Sequence, residues 1–154
     1  MIYNIKNKPY YFRKVIATIL DYGLLFAVTF LWMVKYGEPN AEGGYTVTGI
    51  YALPPIIFWY VMLPGSEALF SKTLGHWLVG LKVVEVSCMK ADFIQTFKRR
   101  LADLVDLFFW GIPAIISIRN SAHNQRLGDL WAETAVVSLQ DEKERLETTG
   151  ADIK

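Results

Sequence analysis

The sequence predicts an all-α membrane protein with two full transmembrane helices, a third kinked or re-entrant apolar segment and a small cytoplasmic β element. Two long apolar runs are the basis of this prediction. Residues 15–34 contain a single charged side chain, that of Asp21, and residues 43–66 contain none. A hydrocarbon layer about 30 Å thick needs about 20 apolar residues of helix, so either run is long enough to cross a membrane. A chain of 154 residues accommodates one domain.

The first predicted span covers residues 15–34. It follows an N-terminal segment, residues 1–14, whose basic and aromatic side chains are typical of the headgroup region of a membrane. Residues 35–49 are rich in glycine and other turn formers and predict a loop. The second span covers residues 49–70. It contains Pro54-Pro55 and Pro64-Gly65, which predict a kinked helix with a broken end near Pro64.

The third apolar segment, residues 101–118, differs from the first two. It contains Asp103 and Asp106 and is interrupted by Gly111-Ile112-Pro113. Its charge-free part is short, so the segment either spans the membrane or re-enters it. The preceding residues 92–100 are typical of the start of an amphipathic helix.

Two β-branched stretches predict the β element. Residues 81–86 read as a short strand, and so do residues 134–138, so that Val83-Val84 could pair with Val136-Val137. We therefore assign residues 1–138 to one transmembrane domain. Residues 139–154 are charged and unpatterned, and we expect a mobile tail.

The positions of lysine and arginine predict the orientation in the cytoplasmic (inner) membrane. Residues 1–14 carry four of these side chains, residues 35–49 one and residues 71–100 six. The N-terminus and residues 71–100 are therefore expected in the cytoplasm and residues 35–49 outside. A full third span would place the C-terminus outside, and a re-entrant segment would return it to the cytoplasm. We favour the cytoplasm because Arg119 and Arg126 follow the segment and because the two strands could pair.

Composition excludes several classes of function. The formal net charge is only +1, so there is no general basic field for nucleic acid. The single cysteine, Cys88, excludes an internal disulfide and a multi-cysteine metal site. No nucleophile–base arrangement is recognisable, and His76 and His123 are expected to be ordinary interface residues. The sequence thus predicts no enzyme activity, no cofactor and no metal.

Asp21 is the most informative residue, because a carboxylate inside a span costs a few kcal/mol and needs a partner. Arg13 shares its helix face but lies two turns away, so the partner is expected from another segment. Arg99, Asp103 and Asp106 form one helical stripe, and Arg126 and Asp129 lie three residues apart. The candidate site comprises eight charged residues, Arg13, Asp21, Arg99, Arg100, Asp103, Asp106, Arg126 and Asp129.

Two interpretations of this site remain open. The charged residues form a structural network that locks segments together in lipid, or they form a proton or cation relay. In the relay, Asp21 and either Asp103 or Asp106 would titrate.

Several of these residues occur in motifs that resemble the RDD family of small membrane proteins, which is named for one arginine and two aspartates. By this resemblance Arg13 is the arginine, Asp21 the first aspartate and Asp129, within residues 126–137, the second. Residues 72–84 resemble the family's Thr-x-Gly-Lys…Gly-Leu-x-Val-Val segment. His76 stands where the family often has a basic residue, and Glu133 where it often has glycine. The resemblance covers about residues 9–138.

The resemblance implies the fold more than the function. The family's molecular role is largely unassigned; ligand transport and, for some members, sodium–proton antiport have been suggested, and others look like accessory subunits. We expect a non-enzymatic accessory or scaffold subunit that contacts the lipid bilayer and either a second copy or other membrane protein subunits. The alternative is an oligomeric cation–proton antiporter, or a transporter of an unidentified ligand, with Asp21 as the titrating group. Oligomers would be needed because no internal repeat is evident.

Overall fold

The first transmembrane helix is longer than predicted. The computed structural model describes residues 10–87, 89–109, 111–121 and 123–140. In it α1 (Tyr11–Tyr36) is continuous, and its buried residues are Lys14, Ala17 and Asp21. The remaining apolar side chains of α1 mostly point outward, as expected where lipid is the solvent. A two-stranded hairpin, β1 (Glu38–Pro39) with β2 (Tyr45–Thr46), follows in the predicted loop.

The second transmembrane helix occupies the predicted residues and is irregular. It begins with a 3₁₀ turn (Gly49–Ala52), continues as α2 (Leu53–Tyr60), widens into a π turn (Val61–Gly65) and ends as α3 (Ser66–Phe70). Pro64 lies inside the π turn, because a proline cannot donate the usual helical hydrogen bond. In this turn the Ser66 hydroxyl donates a hydrogen bond to the Met62 carbonyl, and it lies 3.1 Å from the carbonyl oxygen of Leu63. In the described chain, the helices at 11–36 and 49–70 are long and apolar enough to cross a membrane.

The segment predicted at residues 101–118 is divided between two helices. The amphipathic start and the apolar segment form one helix, α5 (Phe93–Phe108), without a break at residue 101. Gly111 then adopts φ +75°, and α6 (Ile112–Asn120) begins after it. The break therefore lies at the predicted Gly-Ile-Pro sequence, because glycine tolerates this backbone conformation and proline can begin a helix.

Two short helix–strand units complete the fold. One is α4 (Leu74–Leu78) followed by β3 (Leu81–Glu85), and the other is α7 (Leu127–Trp131) followed by β4 (Thr134–Ser138). The strands pair antiparallel, with Val83 opposite Val136. A small apolar core of Leu81, Val83, Ala91 and Val136 lies at this sheet. Of the predicted tail, residues 141–154 lie outside the described residues.

Candidate functional site

Charged side chains are buried where α1, α3, α5 and α7 meet. Nearly all of them are less than 10% exposed, although an isolated charge in such surroundings is costly. The cluster, hereafter the charge cluster, consists of Lys14, Asp21, Glu67, Arg99, Arg100, Asp103, Asp106, Arg126 and Asp129.

Glu67 lies at the centre of the charge cluster and is fully buried. Its carboxylate accepts a hydrogen bond from Arg100 and lies 3.9 Å from Nε of Arg99. Nδ1 of His76 is 3.6 Å away. Our sequence interpretation missed Glu67. A signal existed, because Glu67 is the first charged residue after the charge-free run of residues 43–66 and still belongs to the predicted second span.

Asp103 is held by three side chains from three parts of the chain. Arg100 donates to its Oδ2 at 2.9 Å, and Nη1 of Arg126 lies 3.5 Å from its Oδ1. The hydroxyl of Tyr22, on α1, donates to Oδ2 at 2.9 Å. Asp103 therefore links α1 to the region before α7.

Asp129 lies in the first turn of α7 and is fully buried. Nη2 of Arg99 is 3.0 Å from its Oδ1, and the backbone N–H of Arg126 donates to its Oδ2 at 3.0 Å. Burial alone would raise the pKa of Asp129, but Arg99, Arg126 and Lys14 outweigh burial and the pKa is lowered. The carboxylate is therefore charged at neutral pH.

Asp21 receives its hydrogen bonds from neutral groups of another segment. The hydroxyl of Thr73 donates to Oδ2 at 2.5 Å, and the backbone N–H of Gly75 donates to Oδ1 at 2.7 Å. Thr73 Oγ1 also lies 2.9 Å from Nδ1 of His76. The hydrogen-bond partners of Asp21 thus come from another segment, as predicted, and they are a hydroxyl and a backbone amide.

Arg13 is the candidate that the structure leaves outside the charge cluster. Its side chain is exposed, and its guanidinium lies 5.5 Å from the centroid of the Tyr10 ring. The neighbouring Lys14 is buried instead and donates from Nζ to the carbonyl of Asn124 at 2.8 Å. One residue corresponds to about 100° of helical rotation, which decides which of the two basic side chains turns inward.

His76 is not the ordinary interface residue that the sequence suggested. It is buried beside Glu67 and Thr73. Burial, together with the positive charges of Arg100, Arg99, Arg126 and Lys14, lowers the pKa of His76 well below its usual value. His76 is therefore a neutral hydrogen-bonding residue at neutral pH.

The fold and the charge cluster together define a small α-helical membrane protein whose polar side chains are buried between its helices. The chain belongs to the RDD family, whose sequence model matches residues 9–133. No similar protein was found among those with curated functions, and no solved structure matches. Family membership therefore supports the location in a membrane and leaves the molecular role to be argued from the charge cluster.

Proposed function

We propose that this protein is a non-enzymatic accessory or scaffold subunit of a membrane complex, in which the charge cluster holds the helices together. The observation that carries the proposal is the mutual pairing of the buried charges. Glu67 on α3 pairs with Arg100 on α5, and Arg99 on α5 pairs with Asp129 on α7. Lipid provides no hydrophobic force that distinguishes one helix face from another, so such polar contacts define the packing.

The surface around the charge cluster also favours an accessory role. Four charged side chains of α5 belong to the buried charge cluster, whereas Ile94, Leu101, Val105 and Phe108 are exposed. This outer face of α5 is apolar except for the half-buried Lys98, although α5 is not one of the two helices long and apolar enough to span a membrane. Exposed apolar faces of this kind suit contact with lipid or with another membrane protein. We propose that the outer face of α5 contacts a partner subunit.

A transport function is the second candidate, and one contact chain favours it. Asp21 is linked through the Thr73 hydroxyl to His76, and His76 lies beside Glu67. Chains of titratable and hydroxyl groups inside membrane proteins commonly carry protons. The four side chains of this contact chain line neither of two surface cavities, of about 590 and 410 Å³, in the part of the protein that the structure describes.

Ion-driven proton flux in proteoliposomes separates the two candidates. The wild type and a folded Asp21→Asn variant are measured side by side. An accessory subunit gives no flux in either protein. Flux in the wild type that disappears in the variant would overturn the accessory role and establish a transporter.

Site-specific photocrosslinking in native membranes tests the proposed contact directly. A photoreactive phenylalanine replaces Ile94 on the outer face of α5, and in a matched control it replaces Phe26, an exposed residue of α1. We expect one discrete protein adduct from position 94 and lipid adducts only from position 26. Lipid adducts alone from both positions would contradict a partner at α5.

A further inference from the structure

The chain contains an internal repeat, and our expectation that none exists is wrong. Residues of α4 and β3 recur 53 positions later in α7 and β4, so that Leu74-Gly75-His76 corresponds to Leu127-Gly128-Asp129 and Val83-Val84 to Val136-Val137. Residues of α1 recur 85 positions later in α5. These corresponding pairs are Phe12 and Phe97, Arg13 and Lys98, Lys14 and Arg99, Ala17 and Ala102, and Asp21 and Asp106.

The two repeats also pack in the same way. A Cβ atom on Gly75 would meet the Ala17 carbonyl of α1, and one on Gly128 would meet Arg99 and Ala102 of α5. The residue immediately before the strand has a positive φ in both units, +70° at Gly80 and +54° at Glu133.

The pairing of the two strands shows the symmetry that relates the repeats. Val83 lies opposite its own counterpart, Val136. An antiparallel pair centred on equivalent residues has a two-fold axis through that pair. The α4–β3 and α7–β4 units are therefore related by a two-fold axis, and each follows a helix, α1 or α5, that carries the corresponding residues.

The two equivalent aspartates, Asp21 and Asp106, differ in their surroundings. Asp21 accepts hydrogen bonds from Thr73 and Gly75. Arg126 occupies the position equivalent to Thr73, and it reaches toward Asp103 and Asp129. Asp106 is only 7% exposed, and neither of its carboxylate oxygens has a hydrogen-bond partner in the part of the chain that the structure describes.

The charges of the cluster leave one carboxylate uncompensated. The cluster contains four basic side chains and five acidic ones when every group except the neutral His76 is charged. The charged groups that act on Asp106 are Arg126 and Asp129 at α7 and Asp103 on α5 itself. A buried carboxylate with no hydrogen bond is strongly disfavoured as an anion.

We propose that Asp106, the aspartate of the second repeat, is a proton-binding site, at which a bound proton neutralises the carboxylate that the basic side chains of the cluster leave uncompensated. Asp106 lies on α5, outside both transmembrane helices. Burial raises the pKa of Asp106 to about 6, against an opposing effect of Arg126. The site thus binds and releases a proton near physiological pH, independently of whether the protein is a scaffold or a transporter.

The test compares the two equivalent aspartates by substitution. Asp106→Asn, Asp21→Asn and the exposed control Glu42→Gln are purified in lipid nanodiscs, and melting temperatures are measured from pH 4 to pH 8. Asparagine mimics a protonated aspartate, so Asp106→Asn is expected to melt well above the wild type at pH 8, by a difference that shrinks as the pH falls from about 6 toward the unfolded-state pKa of about 4. Asp21→Asn is expected to melt below the wild type at pH 8, and Glu42→Gln at the wild-type temperature throughout.

Infrared difference spectra of the same proteins provide a direct readout of the proton. The wild type is expected to show a protonated carboxylic-acid band at pH 5 that decreases by pH 8 and is absent from Asp106→Asn. The proposal is overturned if this band persists in Asp106→Asn, or if that variant is destabilised at pH 8 as Asp21→Asn is. It is also overturned if sodium at pH 8 stabilises the wild type and not Asp106→Asn, because the occupant would then be a monovalent cation.

Discussion

Gly75 illustrates, at the scale of one residue, how a missing side chain lets α4 pack on α1. A Cβ atom there would overlap the backbone carbonyl of Ala17 and the carboxylate of Asp21. The backbone N–H of Gly75 also donates to that carboxylate. The close approach and the hydrogen bond therefore depend on the same position.

Gly75→Ala should destabilise the protein by about 1–3 kcal/mol, because overpacking against backbone atoms cannot be relieved by a rotamer change. Gly23→Ala on α1, the helix that Gly75 contacts, is the matched control, since nothing lies within 4 Å of its added Cβ atom. Alanine is the better helix former, so the control should be neutral or slightly more stable. Thermal unfolding in nanodiscs measures both variants, and an equal response of the two would contradict the close packing at Gly75.

His76 should contribute a pH dependence of stability. Burial and the neighbouring arginines lower its pKa in the folded protein, whereas the unfolded chain has the ordinary value of about 6.5. Below about pH 6.5 the unfolded state binds a proton that the folded state does not, so stability falls as the pH is lowered. The difference in unfolding free energy between the wild type and His76→Gln should therefore change between pH 7.5 and pH 5.5, to the disadvantage of the wild type. Parallel curves would exclude this role.

At the scale of elements, the contact between α3 and α5 depends on Glu67, a charged residue near the end of the otherwise apolar second transmembrane helix. Glu67 accepts from Arg100 and lies beside Arg99, and all three side chains are buried. Removal of one partner from a buried ion pair leaves the other charge uncompensated. The net stabilisation by the pair is smaller than the loss that follows from breaking it.

Glu67→Gln should cost about 3–5 kcal/mol in the free energy of unfolding. Glu38→Gln, in the exposed hairpin, is the control and should change stability by less than about 0.5 kcal/mol. The double variant Glu67→Gln/Arg100→Gln should recover part of the loss, since it removes both charges. Additive losses in that double-mutant cycle would show that Glu67 and Arg100 are not coupled.

The elements differ in how well the sequence predicted them. The apolar runs define both transmembrane helices because lipid-facing residues must be apolar whatever the helices contact. The sequence predicts the start of an amphipathic helix at residues 92–100 and a separate apolar segment from residue 101. In the structure Arg99 and Arg100 are buried, Asp92 is exposed, and residues 93–108 form the single helix α5. Periodicity identifies a polar face, but it does not determine whether that face points to water or into a protein in lipid.

At the scale of the whole molecule, the sheet constrains the topology. Two spans would return the chain to the side on which it began, and β3 follows the second span after the short helix α4. Because β4 pairs with β3, we expect both strands on one side of the membrane. We therefore expect α5 and α6 to re-enter the membrane without crossing it.

Cysteine accessibility tests this topology. Cys88 is replaced by serine, and single cysteines are introduced as Lys6→Cys, Glu42→Cys and Asp152→Cys. An impermeant thiol reagent added outside intact cells should label position 42 only, and positions 6 and 152 should react after the membrane is opened. Labelling of position 152 in intact cells would show that residues 101–118 cross the membrane.

The sequence by itself determined the membrane location, the family, the two long helices and most of the residues of the charge cluster. These depend on local composition, motifs and the cost of a charge in lipid, all of which can be seen along the chain. The tertiary structure decided that Lys14 rather than Arg13 turns inward, that Glu67 joins the cluster with His76 buried beside it, and that Asp106 corresponds to Asp21 without its hydrogen bonds. The physical reason is that burial and hydrogen bonding depend on helix rotation and on contacts between distant segments, which only packing establishes.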